Sequence, residues 1–281
     1  MTGIKHDHKA LLRGRFVAAK VGLWGKMRFH LAILALAAFA PFAAFAQPCP
    51  PQSLGTSRVL EVDAATTPRI GRKHFPQTLP LQRKELVLTF DDGPIPETTP
   101  RALNALKAEC VRATFFVLGR HSEAHPMLAR RILAEGHTVG HHTYSHKILS
   151  KLPIARAEAE INRGFEKDDN AIYGQHRHDP LTPFFRFPGF ASTQGLLDSL
   201  ARRRIVVFGA DVWASDWNDM SPSQQLHLIL QRIEQIDHGI VLFHDTRAQT
   251  VHMLPEFLRE LKRRGYRIVH VVPAGSRGAM H

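Results

Sequence analysis

Residues 85–94 read ELVLTFDDGP. Glu85 to Phe90 form a short apolar, β-prone run, and the run stops at two adjacent carboxylates followed by Gly-Pro. That is a strand with its tip at Asp91 and Asp92. Asp-Gly-Pro is also good turn chemistry. The carboxylate pair therefore has two readings. It is a solvated turn, or it is a divided pair in which one carboxylate binds a cation and the other stays free as a base.

Working outward, the same grammar repeats. Residues 99–109 have a helical pattern, ATFFVLG (113–119) is a buried strand, and 124–136 is helical with Gly136 as a plausible C-cap. HTVG (137–140) is a short strand and 152–168 an amphipathic helix. FFRF (184–187) and IVVFGA (205–210) are strands separated by a helix over 193–203. A helix over 221–236 starts with Ser221 as N-cap and Pro222 at its first position. GIVLFH (239–244), a helix over 250–265 and YRIVHVV (266–272) complete the pattern. Alternating strands and helices predict an α/β fold of βα units around a parallel sheet. Right-handed crossovers then favour a barrel or a doubly wound sheet. No GxGxxG follows a strand and there is no P-loop, which argues against a nucleotide cofactor.

In such folds functional groups gather at the C-terminal ends of strands. The polar clusters of this sequence fall at those ends. Asp91 and Asp92 follow the first strand, GHHTYSHK (140–147) the third, and RFPGF (186–190) the fourth. Asp211 in FGADVWASDW follows the fifth, and His244 with Asp245 the sixth. His142 and His146 are spaced i, i+4, which puts two side chains on one face of a helical turn. In a chain with 18 histidines that spacing also arises without function. With a carboxylate from the first strand the pair makes a His2Asp set, and three protein ligands leave a position open, as in catalytic zinc sites. Arg186 is either a surface cation or a fixed one that orients a carboxylate. The Gly189 N–H, free of a side chain, can face a developing oxyanion. His244 is either a core histidine or a general acid kept protonated by a carboxylate such as Asp211. Of Trp213 and Trp217, one is expected in the core and one as a platform for a sugar face. GQHRHDP (174–180) reads as a solvated loop.

The chain has 281 residues, is 44% hydrophobic and carries a net charge of +12. That length suits one sizeable domain, or at most two. Seven of the 37 Lys/Arg and one of the 25 acidic residues lie in residues 1–46, so this segment carries half of the net charge. It contains LAILALAAFAPFAAFA (31–46), which is apolar, follows basic residues and ends in Ala44-Phe45-Ala46 before Gln47. At 16 residues with Pro41 inside, it is short for a membrane span, which needs about 20. We therefore expect 1–46 to be a cleaved signal peptide with an extended basic region, or an anchor if it is retained. Met27-Arg28 would open a more ordinary signal peptide, so residues 1–26 are candidates for an upstream start-site artefact. Residues 47–82 read as a linker or irregular N-terminal segment, 83–272 as the catalytic domain and 273–281 as a disordered tail. Cys49 and Cys110 are the two cysteines. Cys110 reads as a small buried filler, with a Cys49–Cys110 bridge as the alternative in an oxidising compartment. With export and little charge left after the leader, nucleic acid is not an expected partner.

Taken together, TFDDGP, HHTYSH, RFPGF, DVWASDW and LFHD resemble, in order, the five motifs of the polysaccharide deacetylase domain of carbohydrate esterase family 4. The resemblance covers about residues 83–272. It implies an irregular (β/α) barrel and a metal-dependent, exported, monomeric hydrolase. The enzyme would remove N-acetyl groups from an N-acetylglucosamine-containing glycan, such as peptidoglycan, a chitin oligomer or poly-N-acetylglucosamine. By resemblance Asp91 is the general base. Asp92, His142 and His146 bind the metal, usually zinc, with cobalt or nickel also suited to the ligands. Arg186 orients Asp91, His244 is the general acid and Asp211 tunes it. Gly189 supplies the oxyanion N–H and Leu242 lines the acetyl methyl pocket. Apart from the resemblance, Trp217 is taken as the substrate-binding tryptophan. The sequence departs from the family pattern at three points. His141 stands where Asn is usual. Gly189 stands where Tyr is common. The Asp/Trp motif is differently spaced, so Asp216 competes with Asp211 as the partner of His244. An O-acetyl esterase and an idle envelope carbohydrate-binding protein are the alternatives.

Overall fold

The computed structural model describes residues 49–276. The proposed leader lies outside the described residues, as does 277–281 of the proposed tail. Along the chain come β1 (Thr56–Val62), β2 (Arg69–Ile70), β3 (Glu85–Asp91), α1 (Thr99–Ala108) and β4 (Thr114–Val117). Then come α2 (Gly119–Ala124), α3 (Pro126–Ala134), β5 (Thr138–His141), α4 (Ile154–Tyr173), β6 (Phe184–Phe185) and α5 (Gln194–Arg202). The described chain continues with β7 (Val206–Phe208), β8 (Val212–Trp213), α6 (Pro222–Ile236), β9 (Gly239–His244), α7 (Ala248–Arg263) and β10 (Arg267–Pro273).

Each strand pairing is parallel, and the main path runs β8-β9-β3-β4-β5-β6-β7-β2. β10 joins the start of β3, and β1 runs beside β10. The fold is therefore α/β with a mostly parallel sheet curled toward a barrel. No strand pairing joins β8 to β2, so the sheet is not closed. The sequence placed a linker over 47–82, but β1 and β2 are both part of the sheet.

β3 shows why these residues make this fold. Successive strand residues face opposite ways. Leu86, Leu88 and Phe90 enter one core with Phe115, Phe243, Phe257 and the apolar faces of α1, α6 and α7. Val87 points the other way, into a cluster with Phe116, Phe184, Phe208, Ile240 and Val271. Both faces of β3 are covered, so its sequence is a continuous apolar run rather than an alternation. Thr89 and Asp91 follow Val87 on the inner face. A third cluster packs α4 and α5 against Phe185 and Val207. α6 begins with the expected cap. The Ser221 side chain accepts from the Gln224 backbone and Gln224 reciprocates, with Pro222 in the first turn. The helix expected over 124–136 is α3, which starts at Pro126, and the short helix α2 before it was not anticipated.

Cys49 and Cys110 form a disulfide, with their Cα atoms 5.9 Å apart. Cys110 is therefore not a free buried filler. Its backbone turns left-handed just after α1, where it meets the chain entering β1.

Candidate active site

The strand order brings the polar tips together. Asp91 at the end of β3 pairs in register with His244 at the end of β9. His142 follows β5 and Arg186 follows β6. Behind the tip of β3, Arg186 is the largest fully buried side chain. Its Nη1 donates to Asp91 Oδ1 at 2.7 Å and to Thr89 Oγ1 at 2.9 Å. Its Nη2 donates to the Gly209 carbonyl at 2.8 Å, and the guanidinium lies 4.2 Å from the centre of the Phe116 ring. Asp91 is 2% exposed. Burial pushes its carboxyl above the ordinary range, against the charges of Arg186, His244 and His146.

Beside it, Asp92 Oδ1 lies 3.3 Å from His146 Nε2 and 3.6 Å from His142 Nε2. This oxygen is buried and accepts no hydrogen bond. His142 Nδ1 donates to the Arg186 carbonyl at 2.7 Å, which leaves Nε2 as the lone-pair nitrogen. Burial pushes the His142 imidazole down to about 3, so it is neutral, the form that binds a metal. Among the described residues this trio is the one group of His, Cys, Asp or Glu with ligand atoms converging for an ion. An orphaned carboxylate oxygen facing two imidazole nitrogens fits a divalent cation. His176 and His178, in the exposed 174–180 loop, belong to no such group.

The histidine pair does not sit on a helical turn, as the spacing suggested. Thr143 and His146 both have left-handed backbones, with φ of 70° and 63°. The loop curls sharply and His146 N donates to Thr143 Oγ1 at 3.1 Å. Gly164 of α4 makes room for it, since a Cβ there would lie 2.6 Å from the Thr143 carbonyl carbon. His141 is buried, and its Nδ1 is 2.8 Å from Asp168 Oδ2.

His244 is held by Asp216. His244 Nδ1 lies 2.7 Å from Asp216 Oδ1, and its backbone N–H donates to Asp216 Oδ2 at 2.7 Å. Thr250 Oγ1 donates to the same Oδ2 at 2.7 Å. Burial opposes charging of this imidazole. The hydrogen bond and charge of Asp216, with the charges of Asp91 and Asp92, outweigh it and raise His244 to about 9.

Asp211 is elsewhere, which corrects its assignment as the partner of His244. Its carboxylate accepts from Arg72 N at 2.8 Å, Thr78 Oγ1 at 2.7 Å and Ile240 N at 2.7 Å. Lys73 N also donates to the Ala210 carbonyl at 3.0 Å. Asp211 is thus the clasp across the open seam between β2 and β8.

Leu242 is buried on the same face of β9 as His244, two residues below it. Gly189 has a left-handed backbone, φ 56°, in the turn just after Arg186. Trp217 is 44% exposed and stands edge-on to His244 with ring centres 6.0 Å apart. Trp213 is half-buried, with the rings of Trp217, Phe190 and His74 around it.

Three supports had been given no role from the sequence. His121 Nδ1 donates to the Asp92 carbonyl at 2.7 Å. Asp168 holds His141. Asp245 accepts from Gly93 N at 3.1 Å and from the Thr99 hydroxyl, which pins the DDGP turn. Burial raises the Asp245 carboxyl to about 7, against those hydrogen bonds and with help from the charge of Asp92.

Known proteins are similar to this chain in sequence and fold. The polysaccharide deacetylase family profile matches residues 79–203. A peptidoglycan-N-acetylglucosamine deacetylase of Bacillus cereus is 31% identical over 198 residues, covering 69% of this chain and 89% of that protein. A chitooligosaccharide deacetylase of Bradyrhizobium is 32% identical over 204 residues, covering 68% of this chain and 90% of that protein. Among solved structures, a peptidoglycan deacetylase of Bdellovibrio bacteriovorus superposes with a TM-score of 0.69 at 31% identity. That match covers 78% of this chain and 60% of the Bdellovibrio chain, so the present chain spans less than two thirds of it. The identities, the shared fold and the order of the motifs agree: this chain belongs to the polysaccharide deacetylase family.

Proposed function

We propose that the protein removes N-acetyl groups from an N-acetylglucosamine-containing glycan and releases acetate. The observation that carries this reading is the meeting of three units on one strand rim: the buried Asp91–Arg186 pair, the Asp92–His142–His146 trio and the His244–Asp216 pair. A base, an ion site and an acid are what amide hydrolysis requires.

Asp92, His142 and His146 would hold a divalent cation, zinc in the first instance or cobalt or nickel. When bound, it supplies Lewis acidity to water and to the acetamide carbonyl. Asp91 takes the proton of the attacking water on Oδ2, because Oδ1 is occupied by Arg186. The Gly189 N–H donates to the carbonyl oxygen as negative charge grows there. As the C–N bond breaks, His244 gives its Nε2 proton to the departing amine, while Asp216 holds Nδ1 and stabilises the charged ring. Leu242 floors the space for the acetyl methyl, and the exposed Trp217 offers a face to the sugar. Acid and base groups of this kind contribute ~10²–10⁴-fold each.

Export belongs to the same proposal. It is supported by the basic, apolar leader pattern and by the Cys49–Cys110 disulfide, a bond that persists in oxidising compartments. Among the described residues no helix is long and apolar enough to cross a membrane.

The test is acetate release by the zinc-loaded protein from peptidoglycan, chitin oligomers and poly-N-acetylglucosamine, with acetylated xylan as an ester control. Zinc at about 100 times its Kd should also stabilise the fold by about 2.7 kcal/mol. His142→Ala should abolish that stabilisation. Acetate from xylan alone, or from no substrate, would sink the reading.

A further inference from the structure

We propose that Glu160 of α4 is a positioning residue of the metal centre: it fixes the chain on both sides of His146 and so presets that imidazole for the ion. This rests on the deacetylase reading above and deepens it, because it names what holds the most exposed of the three ligands in place.

The trio itself creates the need for such a residue. His142 is buried, and its ring is fixed by the hydrogen bond from Nδ1 to the Arg186 carbonyl. The His146 side chain is 35% exposed. Its Nε2 faces Asp92, its ring stands against that of His142, and among the described residues no hydrogen bond from a neighbour holds the ring. A ligating histidine is ordinarily oriented by a hydrogen bond on its second ring nitrogen. The orientation of His146 therefore has to come through its main chain, which is left-handed there with φ of 63°.

α4 supplies that hold along one face. His141 meets Asp168, Thr143 packs against Gly164, and Ser145 and Lys147 both reach Glu160. Residues 160, 164 and 168 lie four apart, on one side of the helix. His142 and His146, which fall between these contacts, are left to the ion. Glu160 makes the contacts nearest His146. Its Oε2 accepts from Ser145 N at 3.2 Å and from Ser145 Oγ at 2.8 Å, and its Oε1 accepts from Lys147 Nζ at 2.7 Å. Its main-chain carbonyl accepts from Tyr144 N at 3.1 Å. One residue thus ties down 144, 145 and 147, and His146 lies inside that span. The bond to Lys147 contributes little by itself, because that ammonium is exposed. The weight falls on the two bonds from Ser145, whose acceptor carboxylate is only 12% exposed. A ligand held in place beforehand loses less freedom when the ion arrives, so the hold is felt as metal affinity.

The experiment measures the zinc Kd of the full chain by competition with a chromophoric chelator, beside urea unfolding of the zinc-free protein. Glu160→Ala should weaken zinc binding by about 10- to 100-fold. Glu160→Gln keeps an oxygen for Ser145 and opens no cavity, so it should fold even where the alanine does not, and its weaker neutral acceptor should cost about threefold. Glu158→Ala is the control for a loosened helix. Glu158 is two residues away on α4 but accepts from Ser199 Oγ of α5 at 2.8 Å, so its loss should lower stability without moving the zinc Kd. A zinc Kd unchanged in the Glu160 variants, or weakened as much by Glu158→Ala, overturns the role and leaves the deacetylase reading standing. A wild type that binds no zinc removes the metal centre and this role with it. Acetate release from none of the glycans named above sinks the deacetylase reading, while the zinc comparison stands or falls by itself.

Discussion

Arg186 Nη1 lies 2.7 Å from Asp91 Oδ1, and neither side chain meets solvent. The pair is asymmetric. Arg186 has three further acceptors in Thr89, Phe208 and Gly209, whereas the charge of Asp91 has no other direct cationic partner. Removing the cation strands a buried carboxylate, and breaking a buried pair this way costs about 3–5 kcal/mol. Arg186→Leu should lower stability by that amount in urea unfolding. Asp91→Asn should cost distinctly less, because its amide oxygen still accepts from Arg186, yet turnover should fall by ~10²–10⁴. Equal stability losses for the two variants would show that the pair does not act as described.

The Asp216–His244 contact sets a pH limit. An acid catalyst works in its protonated form, so activity should persist as pH rises and fall as it passes the His244 pKa of about 9. Asp216→Asn removes the strongest influence raising that value. The alkaline limb of kcat should then move down toward the ordinary imidazole range, near 6.5. Asp211→Asn should leave the limb in place, because its carboxylate holds the seam instead. A pH–rate profile of the two variants separates the assignments. In stability the same sign holds: the folded pKa is raised, so the contribution is full below about 6.5 and is lost as pH climbs through about 9.

These two aspartates show what was legible in the sequence and what was not. β3, β4, β7, β9 and β10 were readable because each is a mainly apolar run buried on both faces. β1 was missed because six of its seven residues are only partly buried or exposed, and β2 because it is two residues long. The residues at strand tips were readable from position alone. Which aspartate reaches His244 was not, because Asp211 and Asp216 both follow β7 and only the path of the chain around Trp213 separates them. The His142–His146 spacing pointed to a pair that does converge, but through the wrong geometry. A left-handed residue at Thr143 and another at His146 achieve what one turn of helix would have. Buried partners such as Asp168 and His121 carry no local pattern, since burial of a polar side chain is a property of the assembled fold.

The Cys49–Cys110 bridge closes a separation of 61 residues. Cross-links of this span typically contribute about 2–4 kcal/mol. A Cys49→Ser/Cys110→Ser double variant should lose that much in urea unfolding under oxidising conditions. It should match wild type once wild type is fully reduced. Identical stability of the oxidised wild type and the double variant would show that the bridge does not restrain the unfolded chain.

His270 makes the fold acid-sensitive at a place remote in sequence from the motifs. It is 1% exposed and its Nε2 lies 2.9 Å from the Thr138 hydroxyl. Burial, aided by the charge of Arg112, pushes the imidazole down to about 4. Between about 6.5 and 4 the unfolded chain binds a proton that the folded chain does not. Stability is therefore full above about 6.5 and falls as pH drops toward 4, on the order of 3 kcal/mol from this residue. His270→Gln keeps a donor for Thr138 and cannot titrate. Its unfolding free energy should vary less steeply with pH across that window, which denaturant titrations at pH 7 and pH 4.5 measure.

The clasp at Asp211 also bears on where this protein can be cut. The stretch shared with the family profile begins at residue 79, after β1, β2 and the loop that reaches Asp211. A chain started there leaves Asp211 without Arg72 and Thr78, and strips the neighbours from one edge of β7 and one edge of β10. Bare parallel edges recruit other chains, so such a fragment is headed for aggregates rather than a smaller enzyme. The unit that folds is longer than the stretch that the family profile matches.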